Sequence, residues 1–222
     1  MKSKVILDGR LMIVLINPNS TEAMTQAMVE TASKAGVALE GWTSVDGPAA
    51  IQGPDDGVAC IPPLLALVRK ASDAGAKAII IGCFDDTGLD AARKIAICPV
   101  IGIGQAAYHM AVLEGERFSV VTTLAVSVPI LEDNIHTYGF TSKLARVRAC
   151  GVPVLDLETD PVGTAPAVVG EIKRAVAEDK VDVVVLGCAG MVHIPAYFVE
   201  TEAVRLIDGV TAAAQLAFLL AK

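Results

Sequence analysis

Short apolar runs alternate along the chain with longer segments in which apolar residues recur at the spacing of a helix. The runs predict buried strands at residues 11–16, 78–81, 99–103, 118–121, 183–186 and 204–207. Helices are predicted from about Thr21, after the Gly/Pro-rich loop at 46–57, over 124–138 and from 209 to the C-terminus. This alternation is typical of an α/β protein whose strands are parallel and buried on both faces.

Local signals mark several ends of these elements. The first strand ends in the turn Asn17-Pro18-Asn19-Ser20, in which Asn19 or Ser20 can cap the helix that follows. Pro62 and Pro63 should kink or delay the second helix, because proline lacks a backbone N–H. Gly139 is a candidate C-cap for the helix at 124–138.

The second half of the chain repeats the first at a constant offset. Three landmarks that follow predicted strands recur 105 positions later, namely Asn17 at Thr122, Cys83 at Cys188 and Gly104 at Gly209. A constant offset predicts a duplicated α/β unit with two pseudo-symmetric lobes, each a short parallel sheet flanked by helices, and an active site in the cleft between them. We expect lobe one to comprise residues 1–104 plus 209–222 and lobe two residues 105–208.

Composition narrows the class of protein. Of the 222 residues 53% are hydrophobic, but no apolar run reaches the roughly 18–20 residues that a membrane span needs. The net charge is −7 with no basic stripe, which argues against nucleic-acid binding. Residues 1–10 lack the apolar segment of a signal peptide, so we expect a cytoplasmic protein. The high apolar content also favours a homo-oligomer.

The five cysteines fall into two groups. Their odd number and the absence of a CxxC spacing argue against a disulfide scaffold and against a zinc site. Cys60, Cys98 and Cys150 are expected to be inert structural thiols. Cys83 and Cys188 each follow a glycine at the carboxyl end of a predicted strand, which is where parallel sheets bind ligands.

Two thiols at equivalent strand ends suit one type of reaction. Inversion of a stereocentre next to a carbonyl needs one group to remove a proton from one face and another to deliver a proton to the opposite face. A thiol and a thiolate exchange these roles without a metal or an organic cofactor, provided that donors stabilise the enolate oxygen. We therefore expect a cofactor-independent racemase or epimerase in which a helix N-terminus favours the thiolate.

Polar groups at the same strand ends are candidate substrate donors. Asn17 and Ser20 follow the first strand, and Thr122 and Thr123 follow its counterpart 105 residues later. Backbone amides after each cysteine add further donors. A single Asn or Thr at a strand end is often only a helix cap, but the combination with paired cysteines indicates a binding site.

Three motifs carry a resemblance to a known family. They are Ile16-Asn17-Pro18-Asn19-Ser20-Thr21, then Cys83-Phe84 followed by Gly88-Leu89-Asp90-Ala91-Ala92-Arg93, and Leu186-Gly187-Cys188-Ala189-Gly190-Met191. The chain resembles the Asp/Glu/hydantoin racemase superfamily, in its hydantoin/allantoin racemase branch, over nearly its whole length. The resemblance implies two catalytic cysteines, no cofactor, a small-molecule substrate, and substrate contacts at Asn17, Ser20, Phe84, Thr122, Thr123, Ala189 and Gly190.

The residues after the cysteines indicate the branch. Amino-acid racemases of the superfamily typically carry Cys-Asn-Thr and Gly-Cys-Thr, whereas this chain has Cys83-Phe84-Asp85 and Cys188-Ala189-Gly190. An apolar ring and small residues suit a neutral cyclic imide or ureide better than a zwitterion. The chain departs from the branch at Asp85, where glycine is common, and at Gln52, where glutamate is usual. His193 stands where the branch commonly has an acidic residue.

Other functions remain open at this point. A maleate isomerase-like enzyme or an amino-acid racemase would keep the fold and change the reaction. A non-catalytic protein that binds a ureide belongs to another class, and intact Cys83 and Cys188 argue against it because a binder needs neither. Exchange of deuterium into the substrate separates a racemase from a decarboxylase and from a binding protein.

Overall fold

A computed structural model describes residues 11–198 and 204–222 of the chain. The N-terminal segment 1–10, from which the expectation about a signal peptide was drawn, lies outside the described residues. Within the described parts, no helix is both long and apolar enough to cross a membrane. The described residues form two sheets with helices between and outside them.

All eight strands of the described chain belong to two parallel sheets. They are β1 (Ile13–Asn17), β2 (Glu40–Thr43), β3 (Ala78–Ile81), β4 (Val100–Gly102), β5 (Phe118–Thr122), β6 (Leu144–Ala149), β7 (Val183–Leu186) and β8 (Arg205–Asp208). The α-helices are α1 (Glu22–Lys34), α2 (Pro54–Asp73), α3 (Leu89–Ile95), α4 (Ile103–Glu114), α5 (Val128–Thr137), α6 (Val154–Thr159), α7 (Pro161–Arg174) and α8 (Gly209–Leu220).

The two sheets have the same topology. The first has the order β2-β1-β3-β4 and the second the order β6-β5-β7-β8. Ile13 pairs with Ala78 in the first sheet, and Phe118 pairs with Val183 in the second, so both partners move by the same 105 residues. The predicted α/β class with two pseudo-symmetric lobes is therefore confirmed.

The side chains of each central strand pack alternately into a central core between the two sheets and into an outer core on the other face of the sheet. Leu15 and Ile80 face a central core that they share with Phe118 and Val185 of the second sheet. Helices α1, α4, α5 and α8 contribute to this central layer. The opposite face of the first sheet packs against α2 and α3, and that of the second sheet against α7. The carboxyl ends of both sheets are thus held close together by one shared core.

The edge strands β2 and β6 were not predicted from the sequence. Their residues are largely exposed or half-buried, unlike the fully buried residues of β1, β3, β5 and β7. A strand that is open to solvent on one side does not need an uninterrupted apolar run, so the pattern used for the central strands misses it.

The boundaries of two helices also differ from the sequence expectation. Helix α2 begins at Pro54 and continues through Pro62 and Pro63, so these prolines do not delay it. Proline at the first helical position and Asp55 and Asp56 in the first turn favour the earlier start. The segment predicted as one helix at 124–138 begins with a 3₁₀ turn before α5.

Gly139 ends helix α5 as predicted. Its φ is +83°, and its N–H donates to the carbonyl of His136 at 3.0 Å. A residue with a side chain is strained in this left-handed conformation, whereas glycine is not. His136 lies in α5 and His109 in α4.

Candidate active site

One cavity lies at the carboxyl ends of β1, β3, β5 and β7. Its volume is about 40 Å³, a few times the roughly 10–15 Å³ that one water molecule requires, so a compact ligand suits it. The cavity is lined by Asn19, Met24, Ile51, Gly82, Cys83, Phe84, Asp85, Thr122, Thr123, Ser127, Val154, Gly187, Cys188, Ala189 and Gly190. The structure therefore brings Cys83 and Cys188 to the same cavity.

The glycine before each cysteine allows close packing at the end of its strand. A Cβ on Gly82 would lie 2.8 Å from Met28 Sδ, and one on Gly187 would lie 2.9 Å from Val120 Cγ1. Contacts this short force the neighbouring groups to move. Glycine therefore lets each strand end pass close to the central core without displacing these side chains, and the next residue, a cysteine, reaches the cavity.

Each cysteine thiol is influenced by the backbone N–H of the second residue after it. The amide of Asp85 interacts with Cys83 and the amide of Gly190 with Cys188, and both interactions lower the thiol pKa. Burial has the larger effect and raises the pKa of Cys188 to about 12 and that of Cys83 well above its usual value. The expected preference for the thiolate is therefore not met, because a buried charge loses its hydration.

Asp85 is the one charged side chain among the described residues that line the cavity. The charge of its carboxylate raises the pKa of both Cys83 and Cys188. Burial raises the pKa of Asp85 itself to about 6. In the sequence, Asp85 stands out only as a departure from the glycine that is common in the branch.

The turn after β1 contributes Asn19 to the cavity, whereas Asn17 and Ser20 do not line it. Asn17 is fully buried, and its Nδ2 donates to Asn19 Oδ1 at 2.9 Å and to Thr25 Oγ1 at 3.0 Å. Asn19 Oδ1 also accepts from the Thr21 N–H at 2.9 Å. Asn17 thus orients Asn19, which was considered from the sequence only as a helix cap.

The corresponding turn after β5 contributes two threonines to the cavity. Thr122 Oγ1 donates to the carbonyl of Gly187 at 2.9 Å, which ties the end of β5 to the residue before Cys188. The carbonyl of Thr123 accepts from the Gly151 N–H at 2.8 Å. Both side chains are nearly fully buried. Thr122 and Thr123 therefore hold the cavity wall through hydrogen bonds within the protein.

Phe84 lines the cavity from within the central core. Its side chain is 3% exposed and meets the ring of Tyr108 edge-on, with 5.6 Å between the ring centroids. Ala189 and Gly190 also line the cavity, and a Cβ on Gly190 would lie 3.2 Å from Leu157. These three residues make that part of the wall compact and apolar, as the sequence predicted.

A loop closes one side of the cavity. Ile51 lies in the wall, and the neighbouring Gln52 accepts a hydrogen bond from the Val154 N–H at 2.9 Å, so residues far apart in the chain meet there. Met24 and Ser127 complete the lining. Four of these lining residues could not be predicted from the sequence, because neither spacing nor residue type distinguishes them from ordinary core positions: Ile51, Val154, Met24 and Ser127.

The remaining cysteines and histidines do not themselves line the cavity. Cys60 is buried, and Cys98 and Cys150 are half-buried. His193 is half-buried in the 3₁₀ segment Ala189–Ala196 and does not line the cavity. Across residues 11–198 and 204–222, no group of three His, Cys, Asp or Glu side chains is arranged to hold a metal ion.

Residues 13–217 match the family model described as Asp/Glu/Hydantoin racemase. A hydantoin racemase from Rhizobium meliloti is 44% identical over 208 residues, which cover 92% of this chain and 86% of that protein. The solved allantoin racemase from Klebsiella pneumoniae has a TM-score of 0.91 and 34% identity, covering 95% of this chain and 87% of that one. The solved allantoin racemase from Pseudomonas fluorescens has a TM-score of 0.88 and 32% identity, covering 95% of this chain and 90% of that one.

Proposed function

Since the chain belongs to the Asp/Glu/hydantoin racemase family and is a racemase, we propose that it racemises 5-substituted hydantoins or allantoin-like cyclic ureides with Cys83 and Cys188 as its two acid–base groups. The observation that carries the proposal is that both cysteines, at equivalent strand ends of the two sheets, line one cavity. The reaction is the inversion of C5 of the ring.

The proposed reaction has two proton transfers. The thiolate of one cysteine removes the C5 proton from one face, which leaves an enolate stabilised by the adjacent ring carbonyl. The thiol of the other cysteine then delivers a proton to the opposite face, so that the two residues exchange protonation states. In the reverse direction their roles are swapped, which is why a matched pair suits racemisation.

The cavity lining favours a neutral substrate. No Lys, Arg or His occurs among the described residues that line it, so nothing there pairs with a free α-carboxylate. Amide and hydroxyl groups at Asn19, Thr122, Thr123 and Ser127 provide hydrogen-bonding partners for ring carbonyls and N–H groups. The hydantoin and allantoin racemases similar to this chain act on such rings, as their names state.

Serine variants test the two-base reaction. In Cys83→Ser and Cys188→Ser, racemisation should fall by several orders of magnitude, because a hydroxyl is a far weaker acid than a thiol. Each variant keeps one thiol and should still exchange the C5 hydrogen of one enantiomer with solvent deuterium, with opposite enantiomer preference in the two variants. Polarimetry and NMR in D₂O on each pure enantiomer measure the two activities separately.

Cys98→Ser is the matched control, because Cys98 is half-buried and does not line the cavity. It should racemise at the wild-type rate, while the double variant of Cys83 and Cys188 should lose both racemisation and exchange. Near wild-type racemisation in either single cavity variant would overturn the two-thiol mechanism. Faster turnover of aspartate or glutamate than of any hydantoin would overturn the substrate class.

A further inference from the structure

We infer that Asp85 is a specificity-determining residue that makes the cavity reject anionic ligands and favour neutral or cationic ones that bear hydrogen-bond donors. This role for Asp85 rests on the proposed function, which supplies the identity of the substrate ring. Its basis is the position of Asp85, which shares the cavity wall with Cys83 and Cys188 and is the one charged side chain in the described lining.

The carboxylate of Asp85 has no compensating partner among the described residues. No ion pair or hydrogen bond to its side chain occurs there, although its main-chain carbonyl accepts from Asn134 Nδ2 at 2.8 Å. The side chain is half-buried, and burial alone accounts for the rise of its pKa to about 6. It is therefore largely ionised at neutral pH, and its charge acts on both Cys83 and Cys188 in the cavity.

An unpaired carboxylate acts in opposite ways on different ligands. It accepts hydrogen bonds from N–H groups, and a ureido or ring N–H gains from a charged acceptor. It repels a carboxylate on the ligand, and the repulsion is stronger in a narrow, largely buried cavity than in water because the effective dielectric constant is lower. Allantoin, a neutral ring with a ureido substituent, fits this pattern, and a hydantoin with a carboxymethyl substituent does not.

Asp85 influences the thiols through the same charge. Its carboxylate disfavours the thiolate of both Cys83 and Cys188. A second negative charge from an anionic ligand would add to this effect. Rejection of anions therefore protects the step in which a cysteine must lose its proton.

Two alkylating reagents of nearly equal size measure the charge of the cavity without relying on racemisation. Iodoacetamide is neutral and iodoacetate is anionic. With either reagent the cysteine thiolate forms the S–C bond as the C–I bond breaks and iodide leaves. The ratio of the two rate constants cancels the reactivity of the thiolate, so it reports how the site treats reagent charge. Peptide mass spectrometry gives this ratio separately for Cys83 and Cys188.

Replacing Asp85 should raise the ratio of iodoacetate to iodoacetamide rate constants. We expect a rise of about tenfold at both cysteines in Asp85→Asn and Asp85→Gly, the effect of removing one charge a few ångströms away. Asp90→Asn is the matched control, because it removes a carboxylate that is 89% exposed and outside the cavity, and its ratio should stay at the wild-type value. A ratio within about twofold of wild type in both Asp85 variants would overturn the inference.

Racemisation provides the second measurement and separates the two proposals. In Asp85→Asn, kcat/KM for 5-carboxymethylhydantoin should rise about tenfold relative to kcat/KM for allantoin, for the same electrostatic reason. An unchanged ratio of these values would count against Asp85 as a specificity determinant. If the wild-type enzyme racemises neither ring, the proposed function fails, and the alkylation ratios still decide whether Asp85 filters ligands by charge.

Discussion

At the scale of single residues, burial controls the chemistry of Cys83 and Cys188. Each thiol gains from the amide of the second residue after it, Asp85 or Gly190, yet the loss of hydration outweighs that gain. The negative charge of Asp85 acts in the same direction as burial. Both cysteines are therefore protonated at neutral pH, and the form with one thiolate is a small fraction of the protein.

The pH dependence of catalysis follows from this small fraction. Because the pKa of each thiol is raised, the thiolate population grows with pH, and kcat/KM should rise through neutral pH and continue to rise above pH ~9. The measurement is racemisation of an enantiopure substrate by circular dichroism over a range of pH. A plateau already reached at neutral pH would show that the free enzyme holds a thiolate there, contrary to the raised pKa values.

At the scale of elements, the loop after β3 is held by Asp86. This residue has a φ of +51°, and its carboxylate accepts from the N–H groups of Gly104 at 3.1 Å and Gln105 at 2.7 Å. Tyr138 donates its hydroxyl hydrogen to the same carboxylate at 3.0 Å. Asp86 therefore caps helix α4 from a distant segment and connects it to α5, which fixes the loop that carries Cys83.

Removing this cap should destabilise the protein. Asp86→Ala leaves two amides and a hydroxyl without their acceptor, and we expect a loss of about 2–3 kcal/mol in the free energy of unfolding. Urea denaturation followed by circular dichroism measures it. Asp90→Ala, on the exposed face of α3, should change the free energy by less than about 0.5 kcal/mol. Equal effects of the two substitutions would contradict the capping role.

At the scale of the whole molecule, the loop that contains Ala49, Ile51 and Gln52 connects the two lobes across the cavity. Its first part is attached near α1, where Thr21 Oγ1 donates to the carbonyl of Ala49 at 2.8 Å. Its end reaches α6, where Gln52 accepts from the Val154 N–H at 2.9 Å.

The C-terminal helix α8 belongs with the first sheet, because it packs against β3 and β4. We therefore propose that lobe one comprises residues 1–104 plus 209–222 and lobe two residues 105–208.

The hydrogen bond of Gln52 should control how tightly the cavity closes. Gln52→Ala removes the acceptor for Val154, so the loop loosens, and KM should rise about three- to tenfold with a smaller change in kcat. Steady-state kinetics measure both values. Gln52→Glu keeps an acceptor oxygen at the N-terminus of α6 and should retain a KM near that of wild type. An unchanged KM in Gln52→Ala would show that the contact does not restrict the cavity.

Several features of the molecule could be predicted from the sequence because they depend on local pattern. The runs at 78–81 and 183–186 are apolar at every position, which identifies central parallel strands, and the structure has strands over the same residues. The 105-residue offset relates Cys83 to Cys188 by counting alone, and identical strand orders then place both at equivalent ends. The motifs around these cysteines identify the family for the same reason.

Other features were decided only by the tertiary structure. Spacing does not reveal that Asn17 faces inward while Asn19 lines the cavity, or that Gln52 meets Val154 from 102 residues away. The direction of the thiol pKa shift also escaped the sequence, since a helix-end argument considers only nearby amides. The shift depends on how much water the folded protein excludes from Cys83 and Cys188 and on the charge of Asp85, which acts on both thiols. Burial and electrostatic interactions between distant residues depend on the three-dimensional fold and not on the order of residues alone.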